Sequence, residues 1–279
     1  MKKKLLFAVF TLCVAVIFAQ TEADFGVTLN DAGDGVVITK YTGKTLAVRI
    51  PATIQGMPVK EIGDRAFYGF NSTKDLTSVI IPAGVTKIGN EAFVLQQKLT
   101  SVTIPDSVAV IGNRAFDGCP FTSIVLPKSL TVIEENTFRS CRSLASVTLP
   151  EGLTEIKKEA FIWCEKLTSI KFPNSVTEIG EWAFGNCTSL TSVTFGTGIK
   201  RIGDSAFYYC PKLTTVTIPE TVEKIEFGTV YDNGHVTSGD NVFNGCTMLT
   251  LASQAAIKRV RVAIVRERQD DYYGYDDER

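Results

Sequence analysis

The most regular feature of the sequence is a hydrophobic pattern that returns about every 23 residues. Each unit opens with two aliphatic residues three positions apart, continues with Ala-Phe or a close equivalent, and in most units closes with Leu-x-x-Val-x-Ile/Leu-Pro. One phenylalanine position recurs in eight units: Phe67, Phe93, Phe116, Phe138, Phe161, Phe184, Phe207 and Phe243. The spacings between these residues are 26, 23, 22, 23, 23, 23 and 36. A period of this length indicates a repeat protein.

The pattern predicts an α/β solenoid, because a unit of 23 residues cannot enclose a core and must stack on its neighbours. The Leu-x-x-Val-x-Leu segment, for example residues 144–149, has a period of two and predicts a short strand of a parallel sheet. The Ala-Phe segment predicts one helical or 3₁₀ turn on the opposite side. The aliphatic pair predicts a second short extended segment.

The recurring Val-x-x-Ile-x-x-x-Ala-Phe-x-x-Cys-x-x-Leu-x-Ser-Val-x-Ile-Pro resembles the BspA-type leucine-rich repeat of surface and secreted proteins. The resemblance covers residues 59–251, and the stretch from Tyr41 to Val59 is similar to the lead-in of such proteins. Departures are Phe70 and Gln96 at the cysteine position, a long first unit, and an insertion at residues 226–240. The resemblance implies adhesion to host matrix proteins, host cells or other microbes, and it implies no catalytic residues.

The amino terminus has the pattern of a signal peptide, which we assign to residues 1–19. Three lysines precede an apolar stretch at residues 5–18, and Ala19 supplies a small residue for cleavage. The apolar stretch is too short to span a bilayer. We therefore expect an exported protein without stable membrane insertion after cleavage. It would be secreted, displayed on the cell surface or held in the periplasm.

Both ends of the repeat stack are expected to be capped, since an open stack exposes its edges. Residues 20–58 predict an N-terminal cap in which Val36–Thr39 and Leu46–Ile50 form a β-hairpin around residues 41–44. Residues 252–279 predict a short capping helix with Ser253 as its N-cap, followed by a charged tail. The tail is expected to be solvated, and peptide recognition is the alternative role.

Composition narrows the chemistry without identifying a ligand. A net charge of −1, with 29 basic and 30 acidic residues, favours neither nucleic acid nor an anionic membrane as partner. Most hydrolytic triads and zinc sites need at least one imidazole, and only the single histidine, His235, could supply it. We expect no enzyme activity, cofactor or metal.

Six cysteines share one repeat position: Cys119, Cys141, Cys164, Cys187, Cys210 and Cys246. A column of this kind faces the core, where free cysteine packs as a small hydrophobic residue. Adjacent coils bring cysteines within disulfide range, but parallel side-chain vectors make the geometry poor. We expect a reduced ladder, with disulfides as the alternative.

Two groups of residues are candidates for ligand binding. The first lies beside the repeated phenylalanine in three successive units: Ile162, Trp163, Trp182, Tyr208 and Tyr209. Exposed aromatic residues supply large contact areas with polar tips, but partial burial against neighbouring turns is the competing interpretation. The second is the insertion, where Tyr231 and His235 flank Asn233-Gly234, a signal for a hairpin that would grip a partner or cap the stack.

A third surface is the outward side of the predicted strands, which is rich in serine and threonine. The simplest interpretation is β-propensity on a solvated sheet, and a polar platform for a glycan or an extended protein is the alternative. We predict a binding module that recognises a protein or glycan on a host or microbial surface. The alternatives are a structural or interaction protein of the periplasm or envelope, and an enzyme inhibitor that uses the insertion.

Overall fold

Short strands recur wherever the repeat pattern alternates inward and outward residues, and they stack into a parallel β-solenoid of about eight turns. The structure is a computed structural model that describes residues 21–69, 76–225 and 242–249. In chain order the strands are β1 (Phe25–Leu29), β2 (Val36–Tyr41), β3 (Ala47–Arg49), β4 (Thr53–Ile54), β5 (Met57–Ile62), β6 (Ser78–Ile80), β7 (Lys87–Ile88), β8 (Ser101–Thr103), β9 (Val110–Ile111), β10 (Ser123–Val125), β11 (Val132–Ile133), β12 (Ser146–Thr148), β13 (Glu155–Ile156), β14 (Ser169–Lys171), β15 (Glu178–Ile179), β16 (Ser192–Thr194), β17 (Arg201–Ile202), β18 (Thr215–Thr217) and β19 (Lys224–Ile225).

Two faces of each coil are built from strands that pair in parallel and in register. The three-residue strands stack equivalent residues, so that Ser192, Val193 and Thr194 of β16 lie opposite Thr215, Val216 and Thr217 of β18. The middle residue of each strand faces the core while the outer two face solvent. The two-residue strands form the second face and bury their isoleucines, for example where Ile179 lies opposite Ile202.

The third face consists of tight turns, and here the predicted helical segment is wrong. Ala115 N donates to Gly112 O at 3.2 Å and Cys119 N donates to Phe116 O at 3.1 Å, while Phe116 N between them donates to Thr137 O of the next coil at 3.0 Å. Positive backbone φ values recur two residues before and two residues after the phenylalanine, and such residues interrupt a right-handed helix. The described residues contain no α-helix, and one 3₁₀ turn lies at Glu22–Asp24.

A continuous stack of phenylalanine rings occupies the centre of the solenoid. Consecutive rings from Phe67 to Phe243 are nearly parallel, with centroids 4.9 to 5.7 Å apart. Tyr41 extends the stack into the N-terminal region, with its ring 5.4 Å from that of Phe67. This column confirms the shared core that the repeat spacing predicts.

The N-terminal cap differs from its prediction. The two segments expected to form a hairpin lie on different faces, because β2 pairs in parallel with β5 whereas β3 pairs in parallel with β6. Since Tyr41 occupies the position of the repeated phenylalanine, residues 36–50 run like an incomplete additional coil. The hairpins that do form are β1–β2 and β4–β5, and Gln55 and Gly56 have the positive φ values of a two-residue turn in the latter.

The strand pairing has two gaps in the described residues, one between β12 and β14 and a larger one between the coil of β8 and β9 and the coil of β10 and β11. Neither β8 with β10 nor β9 with β11 is paired, although both coils are fully described. The spacing at this junction is 22 residues, since Cys119-Pro120-Phe121 is one residue shorter than the equivalent Cys141 to Leu144 segment. Phe121 takes the buried leucine position, and the turn ladder continues through Arg114 N to Glu135 O at 3.1 Å.

Several predicted segments lie outside the described residues. They are the signal peptide (1–19), the insertion (226–240) with Tyr231 and His235, and the capping helix and charged tail (252–279). In the part of the chain that the structure describes, no helix has the length and apolar character needed to cross a membrane. Within the same ranges, no cluster of three or more His, Cys, Asp or Glu side chains could hold a metal ion.

Candidate binding surface

Aromatic side chains gather on the turn face of three successive coils. We define the aromatic flank as Trp163, Trp182, Tyr208 and Tyr209, each of which lies within two residues of a repeated phenylalanine. Tyr209 is 49% exposed and the other three side chains are half-buried. The sequence therefore identifies a surface cluster, and the structure shows that both competing interpretations, exposure and partial burial, describe part of it.

Ile162 does not belong to this surface. The sequence pattern groups it with Trp163 as a candidate binding residue, but it is only 6% exposed. Its Cγ1 lies 3.5 Å from the position that a Cβ on Gly185 would occupy, so it packs under the turn of the next coil. The reason is the turn geometry, in which the residue directly after the phenylalanine lies between two left-handed positions and can point inward.

Three rings of the flank are in contact with one another. The Trp182 and Tyr208 ring centroids are 4.7 Å apart at 48°, and those of Tyr208 and Tyr209 are 6.3 Å apart. The Trp182 ring also covers Gly185, where an added Cβ would lie 3.0 Å from Trp182 Cε3. Each ring thus buries part of one face against a neighbour, which fixes its orientation before any partner arrives.

Trp163 is held by a cation that sequence reasoning missed. The Arg139 guanidinium lies 4.8 Å from the Trp163 ring centroid and also pairs with Glu159. Cation–π contact and ion pairing together place this arginine at the edge of the flank. Its position directly after Phe138, equivalent to Tyr208 after Phe207, is the signal that would have found it.

The backbone under the flank is in a conformation that bulky residues rarely adopt. Trp163, Trp182 and Tyr209 have φ values of 61°, 55° and 52°. For an L-residue this left-handed region costs roughly 1–2 kcal/mol. In other coils the positions equivalent to Trp163 and Tyr209 also have positive φ and are occupied by smaller residues: Leu95, Gly118, Ser140, Asn186 and Gly245.

The main chain of these residues is tied to the next coil. Trp163 N donates to Gly185 O at 2.8 Å, Trp182 N donates to Asp204 O at 3.0 Å, and Tyr209 N donates to Asn244 O at 2.6 Å. These bonds belong to the ladder that runs along every turn. The hydrogen bonds between coils therefore impose the left-handed backbone conformation at these positions, whichever side chain is present.

The strand face is a second, less distinctive surface. Its outer positions are exposed or half-buried, as predicted, and carry mostly serine and threonine. Val125 is the most exposed large hydrophobic residue among those described, at 69%. A neighbouring column of threonines links adjacent coils, since Thr191 Oγ1 donates to Thr168 O at 2.9 Å and Thr214 Oγ1 donates to Thr191 O at 3.1 Å.

This geometry defines the class of protein as a leucine-rich repeat solenoid. The family model of the BspA type leucine rich repeat region matches in six copies, over residues 60–162, 109–237 and 154–260. The chain belongs to this family, as its repeat pattern predicts. The family is a repeat scaffold typical of binding proteins.

Solved structures agree with this assignment. The leucine-rich repeat protein of T. pallidum is 29% identical, with a TM-score of 0.66 over 87% of this chain and 95% of that one. A leucine-rich repeat protein from Eubacterium ventriosum is 21% identical, with a TM-score of 0.55 over 74% of this chain and 60% of that one. Comparison with curated proteins returned no match.

Proposed function

We propose that this protein is an exported binding module of the adhesin type, and that the aromatic flank is its contact surface. One observation carries the proposal. Three bulky aromatic residues in adjacent coils adopt left-handed φ values that cost stability, yet their side chains remain half-buried or exposed. A surface that costs stability and buries little in return is typical of residues retained for binding.

The chemistry of the flank favours an uncharged contact on a protein or glycan partner. Trp, Tyr and Arg are the residues enriched where binding energy concentrates. The cation at the edge, Arg139, is already paired with Glu159. Binding would therefore depend on apolar and ring contacts and would persist at high salt.

Export of the module is supported by the leader pattern at residues 1–19. After cleavage the formal charge would change from −1 to −4, because the leader contains three lysines and no acidic residue. No catalytic role follows from the described residues, and we assign the protein to recognition without a cofactor.

The test is direct binding of purified protein to an array of extracellular-matrix proteins and glycans, at low and high salt. We expect a saturable hit that survives salt. The double variant Trp182→Ser/Tyr209→Asn should weaken it at least about 10-fold, since residues of this kind commonly contribute more than about 1.4 kcal/mol at a contact.

Tyr68→Asn is the matched control. Tyr68 lies directly after Phe67, is 38% exposed, and belongs to a coil distant from the flank. It should bind like wild type. Undiminished binding by the double variant would show that the aromatic flank is not the contact surface. The absence of binding to every member of the array would favour a structural role in the periplasm or envelope.

A further inference from the structure

Two members of the aromatic flank occupy the same repeat position. Trp163 and Tyr209 each lie two residues after a repeated phenylalanine, in coils that are separated by one intervening coil. The phenylalanine rings of these three coils are spaced by 5.1 and 5.4 Å, which measures the rise from one coil to the next. The main chain under Trp163 and the main chain under Tyr209 therefore lie two coil rises apart along the solenoid axis.

Asn186 occupies this repeat position in the intervening coil. It has the same left-handed backbone, with φ of 59°, and its N–H donates to Tyr208 O at 2.7 Å in the turn ladder. The residue is half-buried, and its side-chain amide has no hydrogen-bond partner among the described residues. An amide offers both donors and an acceptor. We call Trp163, Asn186 and Tyr209 the axial row, in which a polar amide lies between two aromatic residues.

Tyr209 shows how a ring of the axial row is held and yet remains accessible. Gly245 has the same repeat position in the next coil, and a Cβ added there would lie 3.1 Å from Tyr209 Cδ2. The absence of a side chain at residue 245 thus leaves room for the ring. The Tyr208 ring supports it from the other strand of contacts, with centroids 6.3 Å apart. The ring is positioned by its neighbours while about half of the residue is exposed.

The axial row carries no charge of its own. The guanidinium that contacts it, that of Arg139, lies 4.8 Å from the Trp163 ring centroid and is paired with Glu159. Aromatic rings bind apolar faces, and an amide binds hydroxyl groups. A pyranose ring offers both, since its C–H bonds form apolar faces and its hydroxyl groups lie along the edges.

We propose that the axial row binds a linear, uncharged β-1,4-linked pyranose chain that lies parallel to the solenoid axis. This inference rests on the proposed function and names its ligand class. One sugar of such an extended chain is about as long as one coil rise, and alternate sugars present the same face. The first and third sugars would stack on Trp163 and Tyr209, while hydroxyl groups of the second bond to the Asn186 amide. An α-1,4-linked chain is curved and does not keep this register.

The test uses the tryptophans as reporters, because the chain contains only two and both belong to the aromatic flank. Purified protein is titrated with cellohexaose, with chitohexaose and with maltohexaose as the α-1,4-linked control, by tryptophan fluorescence and isothermal titration calorimetry. We expect at least one β-1,4-linked hexamer to bind and to change the emission. Maltohexaose should bind at least about 10-fold more weakly. The corresponding β-1,4-linked dimer should also be at least about 10-fold weaker, because it is too short to reach both rings.

Two variants give the axial row residues that other coils already carry at this position. Trp163→Ser reproduces Ser140, and Tyr209→Asn reproduces Asn186. Each should weaken hexamer binding at least about 10-fold and remove most of the advantage of the hexamer over the dimer. Tyr68→Asn should bind the hexamer like wild type. Thermal unfolding of each variant establishes that it is folded.

Three results would overturn the proposal: binding of neither β-1,4-linked hexamer, equal binding of maltohexaose, or a hexamer affinity that neither folded variant lowers. The array experiment separates this failure from failure of the proposed function. A protein ligand whose binding depends on the aromatic flank would leave the proposed function standing without the glycan. If no member of the array binds through the flank either, both proposals are wrong.

Discussion

The exposure of a side chain in this protein depends on its position in the repeat together with its own size and chemistry. Ile162 is hydrophobic and buried, whereas Trp163 beside it is half-buried under a guanidinium. Asp117 occupies the same repeat position as Ile162 and is likewise buried, whereas Tyr68 at that position is 38% exposed. Burial of a carboxyl costs free energy unless partners compensate it.

Asp117 provides a pH-dependent test of this argument. Its Oδ2 accepts from Arg114 Nε at 3.0 Å and Nη2 at 2.9 Å. Burial nevertheless raises its pKa above 3.8, outweighing the opposing effects of Arg114 and Arg139. A carboxyl with a raised pKa in the folded state stabilises the protein below its unfolded pKa, and this contribution is lost as pH rises through the folded pKa.

We therefore expect wild type to lose stability relative to Asp117→Asn as pH rises from about 3.5 to about 6. The measurement is the difference in urea midpoint between the two proteins across that range, in which effects of the other carboxyls largely cancel. A difference that moves in favour of wild type with rising pH would show that the Arg114 ion pair dominates.

At the scale of elements, three ladders hold one coil to the next, and they are not equally continuous. The turn ladder and the phenylalanine stack run through the whole described repeat region. Both strand ladders are interrupted before the coil that begins with β10, and the ladder of three-residue strands is interrupted again between β12 and β14. The first interruption coincides with the 22-residue spacing, whereas β12 and β14 are separated by the regular 23 residues, and neither interruption divides the core.

Amide hydrogen exchange should locate the first interruption. We expect Val132 and Ile133 of β11 to exchange faster than Glu178 and Ile179 of β15, which is paired on both sides. Inserting one serine between Pro120 and Phe121 restores the 23-residue spacing and should slow exchange in β11. Equal protection of β11 and β15 in wild type would contradict this account.

The phenylalanine stack is expected to dominate stability. Phe161 is fully buried between Phe138 and Phe184, at centroid distances of 5.1 Å on both sides. Phe161→Ala should cost roughly 3–5 kcal/mol, because it leaves a cavity that the neighbouring rings cannot fill. Phe161→Leu, which retains most of the volume, should cost less in urea unfolding. Similar losses for both variants would argue against a cavity as the cause.

At the scale of the whole molecule, the surface ion pairs recur regularly between coils but contribute little to the free energy of unfolding. Lys and Glu side chains pair between coils at residues 23 apart, as in Lys157–Glu134 at 2.9 Å and Lys158–Glu181 at 3.0 Å. These ion pairs are partly exposed, and pairs of this kind contribute about 0–1 kcal/mol each. The core, by contrast, runs the length of the described repeats without interruption.

Stability should consequently respond weakly to salt. We expect the melting temperature to change by no more than about 4 °C between low and high ionic strength, as screening removes on the order of 1 kcal/mol. Differential scanning calorimetry at two salt concentrations measures this. A much larger decrease would mean that the ion-pair columns support the fold.

Much of this architecture is predictable from the sequence, because eight repeats place residues of the same kind at equivalent positions. The phenylalanine column, the alternating Ser-Val-Thr strands and the buried cysteine column all follow from periodicity, since only residues that face the shared core keep an apolar character at a constant spacing. The aromatic flank is also visible as a departure from this pattern.

Other features depend on tertiary pairing. Segments 36–39 and 46–50 both have strand patterns, but whether they pair with each other or join opposite faces is decided by the adjacent coil. Similarly, the left-handed backbone at Trp163 and Tyr209 is set by hydrogen bonds to Gly185 and Asn244 of the next coil. Local sequence specifies which residues are buried. Contacts between coils specify with which strand each segment pairs and the direction in which side chains outside the core point.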